Sequence, residues 1–203
     1  MNRHVLMGAV AALTIAVSAT EVRAATITLD FASALYNGAN GVAAFGTVDQ
    51  GVAVTLSTST GNLRHNGQGF GVDSSVLAED PNEIGRNELL LTGFAPAQYV
   101  HSVSIERLFG NDIFGPEEGQ YSINGGAFVS FFGNSSTGLF TLNLEQGGIT
   151  SLSFRGTGNI ISDDDFTVRA ISIEAPEPAS MILLGTGLAG AFMQRRRKKS
   201  QSL

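Results

Sequence analysis

The sequence predicts an all-β domain, a two-sheet sandwich of jelly-roll-like form, flanked by an N-terminal signal helix and a short C-terminal transmembrane helix. Three observations support this fold class. Apolar and polar residues alternate along residues 25–174, glycine and asparagine separate the alternating runs, and a long apolar stretch lies near each end. A period of two is typical of half-buried strands, and glycine and asparagine favour turns.

Residues 1–24 have the features of a secretory signal peptide. Arg3 precedes an apolar, alanine-rich run over residues 5–19, and Val22-Arg23-Ala24 places suitable residues before a cleavage site. We expect cleavage after Ala24, with cleavage after Ala19 as an alternative. An uncleaved anchor is the third possibility, although about 15 apolar residues fall short of the ~20 that a membrane span normally needs.

The predicted strands of residues 25–175 follow one another without a helix of more than two turns. Ile27, Leu29 and Phe31 alternate with polar residues, and similar runs lie at residues 52–57, 103–106, 140–144 and 152–155. Phe166 and Val168 share one parity, whereas Ile171 and Ile173 share the other, so we expect a bulge near Arg169. About ten short strands in one domain favour a sandwich with a phenylalanine-rich core.

Turn residues separate these runs. Asn124-Gly125, between residues 121–123 and 127–132, predicts the clearest hairpin, because both residues tolerate a positive φ. Further turns are expected at Gly38, Gly41, Asn66-Gly67 and Gly147-Gly148.

The C-terminal tail, residues 176–199, has three parts. Pro176-Glu177-Pro178 is followed by an uncharged apolar run at 179–193, which predicts a helix of roughly 22 Å, short of the ~30 Å hydrocarbon core. A basic cluster then favours the cytoplasmic side, and this agrees with an exported body. The cluster consists of Arg195, Arg196, Arg197, Lys198 and Lys199.

This order of motif, short apolar helix and basic cluster resembles the PEP-CTERM sorting tail of exopolysaccharide-producing Gram-negative bacteria. The resemblance implies that an exosortase, a membrane-embedded cysteine protease or transpeptidase, recognises and cuts the chain near Pro176, Glu177 and Pro178. It also implies export across the inner membrane to the envelope or the exterior. A plain C-terminal anchor with a coincidental Pro-Glu-Pro is the alternative.

The body resembles, more weakly, the β-sandwich domains of unassigned activity that precede such tails. The residues that carry this second resemblance are Gly71-Val72, residues 80–84, Glu88-Leu89-Leu90, Leu108-Phe109, residues 121–126 and Asp164-Asp165-Phe166.

Charge and composition exclude several classes of protein. Residues 25–174 hold five arginines, no lysine and sixteen carboxylates, so the formal charge of this body is −11. Such a body is not expected to bind nucleic acid, since phosphate contacts need clustered cations. The chain has no cysteine, which excludes disulfides, zinc–thiolate sites and a thiol nucleophile.

Carboxylates cluster in three predicted loops. Calcium takes six to eight oxygen ligands, often from such loops, so calcium is a possible cofactor. Against this, no EF-hand spacing occurs, and acidic loops are usually solvated. The calcium candidates are Asp80, Glu83, Asp112, Asp163, Asp164 and Asp165.

Catalytic residues are hard to find in the body, and we expect that the protein is not an enzyme. His65 lies in a predicted loop, whereas His101 shares parity with Val103 and is expected to point inward as a structural histidine. No Gly-x-Ser-x-Gly motif occurs. Glu83 and Glu88 form a conceivable pair for glycoside hydrolysis, which needs two carboxyl groups at a defined separation.

The preferred function is therefore a structural or interaction role in the envelope or in a biofilm or exopolysaccharide matrix. The alternative is a lectin-like, carbohydrate-binding module. In one form of this alternative, sugar binding depends on calcium. The lack of tryptophan weakens this alternative, and only Tyr36, Tyr99 and Tyr121 provide amphipathic rings.

Overall fold

The computed structural model describes residues 25–73, 83–85, 88–110, 115–157 and 165–175. These residues form ten strands and one 3₁₀ helix, Ala34–Ala39, so the all-β class is confirmed. The strands are β1 Thr26–Asp30, β2 Ala44–Asp49, β3 Val52–Thr58, β4 Asn62–Asn66, β5 Gly69–Asp73, β6 Leu90–Glu106, β7 Glu118–Ile123, β8 Val129–Phe132, β9 Phe140–Gly156 and β10 Thr167–Glu174.

The predicted signal helix and the predicted helix at 179–193 lie outside the described residues. In the part of the chain that the structure describes, no helix combines the length and the apolar character needed to cross a bilayer.

All ten strands belong to one hydrogen-bonded sheet. Its main path is β4-β5-β10-β6-β9-β7-β8, while β1 pairs with β10, and β2 pairs with β3, which in turn pairs with β6. The strands β6 and β9 have 17 residues each, and each runs through both halves of the sheet. The start of β6 pairs with β3 and with the end of β9, whereas the end of β6 pairs with β10 and with the start of β9.

The two halves of this sheet face each other. The Phe131 ring of β8, in one half, lies 5.6 Å from the Phe140 ring and 5.3 Å from the Phe166 ring, both in the other half. Tyr36, which packs against Phe31 and Phe70, lies 6.4 Å from Phe45 of β2. The core therefore lies between two layers of one folded sheet.

The predicted pair of separate sheets is thus one continuous sheet. Register shifts interrupt the β6–β9 pairing between Gly93 and Gln98, between Gln98 and Val100, and between Val100 and Ser102. Such irregularities bend strands and increase their twist, so a long strand can pass from one layer to the other. Alternation along a sequence cannot distinguish this arrangement from two sheets, because the period of two is the same in both.

Phenylalanine is prominent in the core, as predicted, but leucine, valine and isoleucine together contribute more of the buried side chains. The core contains two aromatic groups, one around Tyr36 and one around Phe131. The largest fully buried side chains are Tyr36, Phe31, Phe70, Phe154, Phe166, Leu29, Leu56, Leu63, Ile84, Leu90, Ile105 and Leu108.

Several local predictions are confirmed. The β10–β6 register shifts between Val168 and Ala170, so the predicted bulge at Arg169 lies where the parity changes. Asn124 and Gly125 have φ values of 52° and 71°, and the Gly126 N–H donates to the Ile123 carbonyl at 2.9 Å. These angles are those of the hairpin turn that Asn-Gly favours.

The turn expected at Gly147-Gly148 is wrong. Both glycines lie inside β9, close to Glu145, which has a φ of 46°. Gly148 has a φ of 73° and lies beside the irregular pairing with β6. Glycine supplies a positive φ in some bulges as well as in some turns, so the glycine pair alone did not indicate which of the two forms here.

Candidate functional site

The folded sheet has two dissimilar ends. The first, which we call the terminal end, contains the first and last residues that the structure describes. The Ala175 N–H donates to the Ala25 carbonyl at 2.6 Å, and Thr26 pairs with Glu174 at the start of the β1–β10 ladder. The two chain termini of the body therefore leave it side by side.

A polar group from three strands lies at the terminal end. His101 Nδ1 is 3.0 Å from Glu145 Oε2, and His101 Nε2 is 3.4 Å from Thr26 Oγ1. The Tyr99 ring packs against the His101 ring with centroids 5.0 Å apart, and its hydroxyl donates to Glu145 Oε2 at 3.5 Å. We call Thr26, Tyr99, His101 and Glu145 the terminal cluster.

The inward orientation predicted for His101 is wrong. Its side chain is 26% exposed, whereas Val100 and Val103 are fully buried. The register shift between Val100 and Ser102 changes the parity of β6 at this point, so residues 101 and 103 do not share a side. His65, predicted in a loop, lies in β4, and its ring packs 5.3 Å from that of Phe70.

The predicted sorting residues adjoin the terminal end in sequence but lie outside the described residues. Ala24, the expected signal cleavage position, immediately precedes Ala25, and Pro176, Glu177 and Pro178 immediately follow Ala175. The basic residues Arg195, Arg196, Arg197, Lys198 and Lys199 also lie outside the described part.

The second end, which we call the loop end, is built from residues 83–85, 107–110, 117, 133–139 and 166. Residues 83–85 connect both layers there. The Val72 N–H donates to the Glu83 carbonyl at 2.9 Å and the Ile84 N–H to the Phe166 carbonyl at 2.7 Å, while the Gly85 carbonyl accepts from Gly156 at 3.3 Å.

Two of the six calcium candidates can be located. Glu83 is 2% exposed and forms an ion pair with Arg107 Nε, and Asp165 is 7% exposed. Asp80, Asp112, Asp163 and Asp164 lie outside the described residues. Within the described ranges, no three His, Cys, Asp or Glu side chains come together in a way that could hold a metal ion.

Two other carboxylates of the loop end also accept hydrogen bonds from backbone N–H groups. Glu88 is buried and accepts a hydrogen bond from the Gly85 N–H at 2.7 Å. Glu117 is buried and accepts from the Phe109 N–H, while its own N–H donates to the Phe109 carbonyl at 3.0 Å. These two carboxylates are therefore not part of a solvated acidic surface. Backbone N–H groups hold them, because a buried carboxylate needs donors.

An exposed apolar patch at the loop end was not predicted. Phe109 and Leu139 lie in the loops of this end, and Phe132 is the last residue of β8, which precedes the loop at 133–139. These three residues, which we call the apolar patch, are 38%, 57% and 51% exposed, respectively. The Phe109 ring lies against Gly138, where an added β-carbon would be 3.0 Å from the ring. Phenylalanine was assigned to the core because of its apolar character, which cannot by itself identify the rings that remain outside.

The three tyrosines differ in their burial and therefore in whether they could contact a ligand. Tyr36 is fully buried, and its hydroxyl donates to Asp49 Oδ2 at 2.9 Å. Burial is the main reason, and this hydrogen bond the second, that the pKa of Tyr36 is far above the usual value. Tyr121 packs against Phe131 with centroids 6.2 Å apart. Tyr99, in the terminal cluster, is the tyrosine with a polar surface environment.

A family comparison identifies the tail. Residues 174–198 match the PEP-CTERM protein-sorting motif, which confirms the resemblance found in the sequence. The motif implies an exosortase-type processing enzyme and export to the envelope of a Gram-negative bacterium. A search of curated proteins gives no significant match.

Solved structures give weak likenesses to the body. One is an exo-β-1,3-galactanase from Phanerochaete chrysosporium, with a TM-score of 0.35, 12% identity and coverage of 74% of this chain but 29% of the galactanase. A family 35 carbohydrate-binding module from Clostridium thermocellum has a TM-score of 0.34 and 15% identity, with 73% and 98% coverage. The xylan-binding module CBM86 from Roseburia intestinalis has a TM-score of 0.35 and 10% identity, with 75% and 96% coverage. These scores are too low to transfer a function.

Proposed function

We propose that the protein is a structural or interaction component of the cell envelope or of the extracellular biofilm matrix, delivered there by an exosortase-type system. The sorting motif at residues 174–198 is the observation that carries this proposal. After export and cutting near Pro176–Pro178, the acidic body would be the mature protein, and the basic cluster would be lost with the tail.

A non-catalytic role agrees with the carboxylates that can be located. Glu83 pairs with Arg107, and Glu88 accepts from the Gly85 N–H, so both members of the conceivable glycosidase pair are held in buried contacts. A carboxylate in such a contact is poorly placed to reach a substrate. A jelly-roll-like arrangement of the folded sheet is our proposal for the fold of this body.

The sorting proposal is tested by replacing Pro176, Glu177 and Pro178 together with alanine in the native host. We expect loss of C-terminal cutting and accumulation of an unprocessed, membrane-held form, measured by mass spectrometry of membrane and extracellular fractions. A matched control is alanine at Thr141 and Asn143, two exposed residues of β9. Normal processing of the triple variant would disprove the sorting proposal.

A second candidate function is binding of exopolysaccharide. The apolar patch favours it, because exposed apolar groups on a soluble domain mark interaction sites and aromatic rings line many ligand sites. The loop at 133–139, which contains Leu139, also carries two hydroxyl groups, Ser135 Oγ and Thr137 Oγ1, which are 2.6 Å apart. A calcium-dependent version would use Asp80, Asp112, Asp163 and Asp164.

A further inference from the structure

We propose that the terminal end of the body lies against the lipid headgroups of the membrane, while the loop end points away from them. This inference rests on the proposed sorting function, since the tail must hold the protein at the membrane before processing. It identifies which surface is shielded at that stage and which is free for a ligand.

The hydrogen bonding of the termini is the first support. Five residue pairs join β1 to β10, from Thr26 with Glu174 to Asp30 with Ala170, and Ala25 bonds to Ala175 beyond them. The position that follows the expected signal cleavage and the position that precedes the sorting motif are therefore joined. Whether the chain is held at one terminus or at both, the same end of the body is next to the membrane.

The short connection to the apolar run is the second support. Three residues, Pro176 to Pro178, separate Ala175 from the run that begins at residue 179. Even fully extended, three residues span only about 10 Å. The eight residues of β10 extend roughly 25 Å in the opposite direction, towards the loop end. The connection therefore holds the terminal end, and not the loop end, within about 10 Å of the apolar run.

The composition of the two ends agrees with this orientation. The terminal cluster is polar, and its carboxylate and hydroxyl groups can hydrogen-bond to headgroups and water. The apolar patch, by contrast, lies at the loop end. In this orientation the patch would face the surroundings of the cell, where an exopolysaccharide or another partner is found.

Site-specific fluorescence can test this orientation, because the chain has no cysteine. Single cysteines are introduced by Gln146→Cys, in β9 at the terminal end, and by Leu139→Cys, just before β9 at the loop end. Both positions are exposed, and the seven residue steps between them span at most roughly 23 Å. The protein is produced in a Gram-negative host without an exosortase, so that the signal peptide is removed and the tail is retained.

Each variant is labelled with an environment-sensitive fluorophore and reconstituted into vesicles of phosphatidylethanolamine and phosphatidylglycerol that contain headgroup spin-labelled lipid. We expect several-fold stronger quenching at position 146 than at position 139. Equal quenching at both positions, or stronger quenching at 139, would overturn the orientation. Thermal melting of both labelled variants checks that each body is folded as in the unlabelled protein.

The result is distinguishable from a failure of the sorting proposal. Flotation of the vesicles shows whether the tail holds the protein at the membrane at all. If neither the full chain nor a control without residues 176–199 floats with the vesicles, the proposed membrane role of the tail is wrong. The orientation proposal is then wrong as well. If the chain floats through its tail and position 139 is quenched more strongly, only the orientation is wrong.

Discussion

Tyr36 connects several parts of the body through one side chain. Its ring lies 5.1 Å from that of Phe31 and 5.7 Å from that of Phe70, and its hydroxyl donates to Asp49 at the end of β2. The 3₁₀ helix that carries Tyr36 is thereby held against both layers. Burial and the hydrogen bond to Asp49 favour the neutral phenol, which is why its pKa is raised.

Replacing Tyr36 with phenylalanine is expected to lower the free energy of unfolding by about 1–2 kcal/mol at neutral pH, because Asp49 loses a donor. The raised pKa also predicts a pH dependence. An unfolded tyrosine ionises near pH 10, whereas the folded one stays neutral to higher pH, so the contribution is complete below pH 10 and is lost as the pH rises further. Thermal melts from pH 7 to 11 measure both effects.

Tyr121→Phe is a matched control for this change, since Tyr121 packs against Phe131 and is only half-buried. Above pH 10 the stability of the wild type should decline relative to that of Tyr36→Phe. Parallel pH profiles for wild type and Tyr36→Phe would contradict the proposed role of the hydroxyl.

The β7–β8 hairpin shows how one element is attached to its neighbour. Asn124 adopts a φ of 52° in the turn, and its Oδ1 accepts from the N–H groups of Thr150 and Ser151 at 2.8 and 3.1 Å. Its Nδ2 donates to the Gly148 carbonyl at 3.0 Å. The side chain thus fixes the turn to β9 beside the bulge. The turn type followed from the Asn-Gly pair, but these partners lie more than twenty residues away.

Two substitutions separate the backbone and side-chain roles of Asn124. Asn124→Gly keeps the positive φ accessible and removes the side-chain hydrogen bonds, whereas Asn124→Ala removes both advantages. We expect stability to decrease from wild type to glycine to alanine, with a total loss of about 1–3 kcal/mol, measured by urea unfolding. An alanine variant as stable as the glycine variant would show that the left-handed backbone contributes little.

At the scale of the whole molecule, the folded sheet places two different surfaces at opposite ends. Ala25, Ala175 and the terminal cluster lie at one end, whereas the apolar patch and the described loops around it lie at the other. Glu83, Glu88 and Glu117 stiffen these loops by accepting hydrogen bonds or an ion pair from neighbouring segments. An exposed apolar surface beside loops that are held by such contacts is suited to ligand binding.

If the apolar patch binds exopolysaccharide, Phe109→Ala with Phe132→Ala should reduce retention of the mature body on polysaccharide from the native host by tenfold or more, which corresponds to about 1.4 kcal/mol. Sedimentation with the insoluble polysaccharide measures this retention. The control is Val48→Ala, an exposed apolar residue of edge strand β2 at 63% exposure. Repeating the assay with a calcium chelator tests the calcium-dependent version. Equal retention of the double variant and the control would exclude the apolar patch as the polysaccharide-binding site.

Local sequence patterns were sufficient for much of the fold. The strands β1, β3 and β7, the bulge at Arg169 and the Asn124-Gly125 turn followed from alternation and turn chemistry, since each depends on a few adjacent residues. The sorting tail was also visible, because its motif, apolar run and basic cluster are contiguous and match the sorting model at residues 174–198. These features need no knowledge of distant contacts.

Tertiary structure alone decided the rest. The sequence by itself determined an all-β, acidic body with a sorting tail, but it could not show that β6 and β9 pass through both layers. Nor could it show that Glu83 pairs with Arg107, that His101 turns away from the core, or that Ala25 bonds to Ala175. Each of these joins residues far apart in the chain or depends on a register shift, and the packing of the complete sheet determines which distant groups meet.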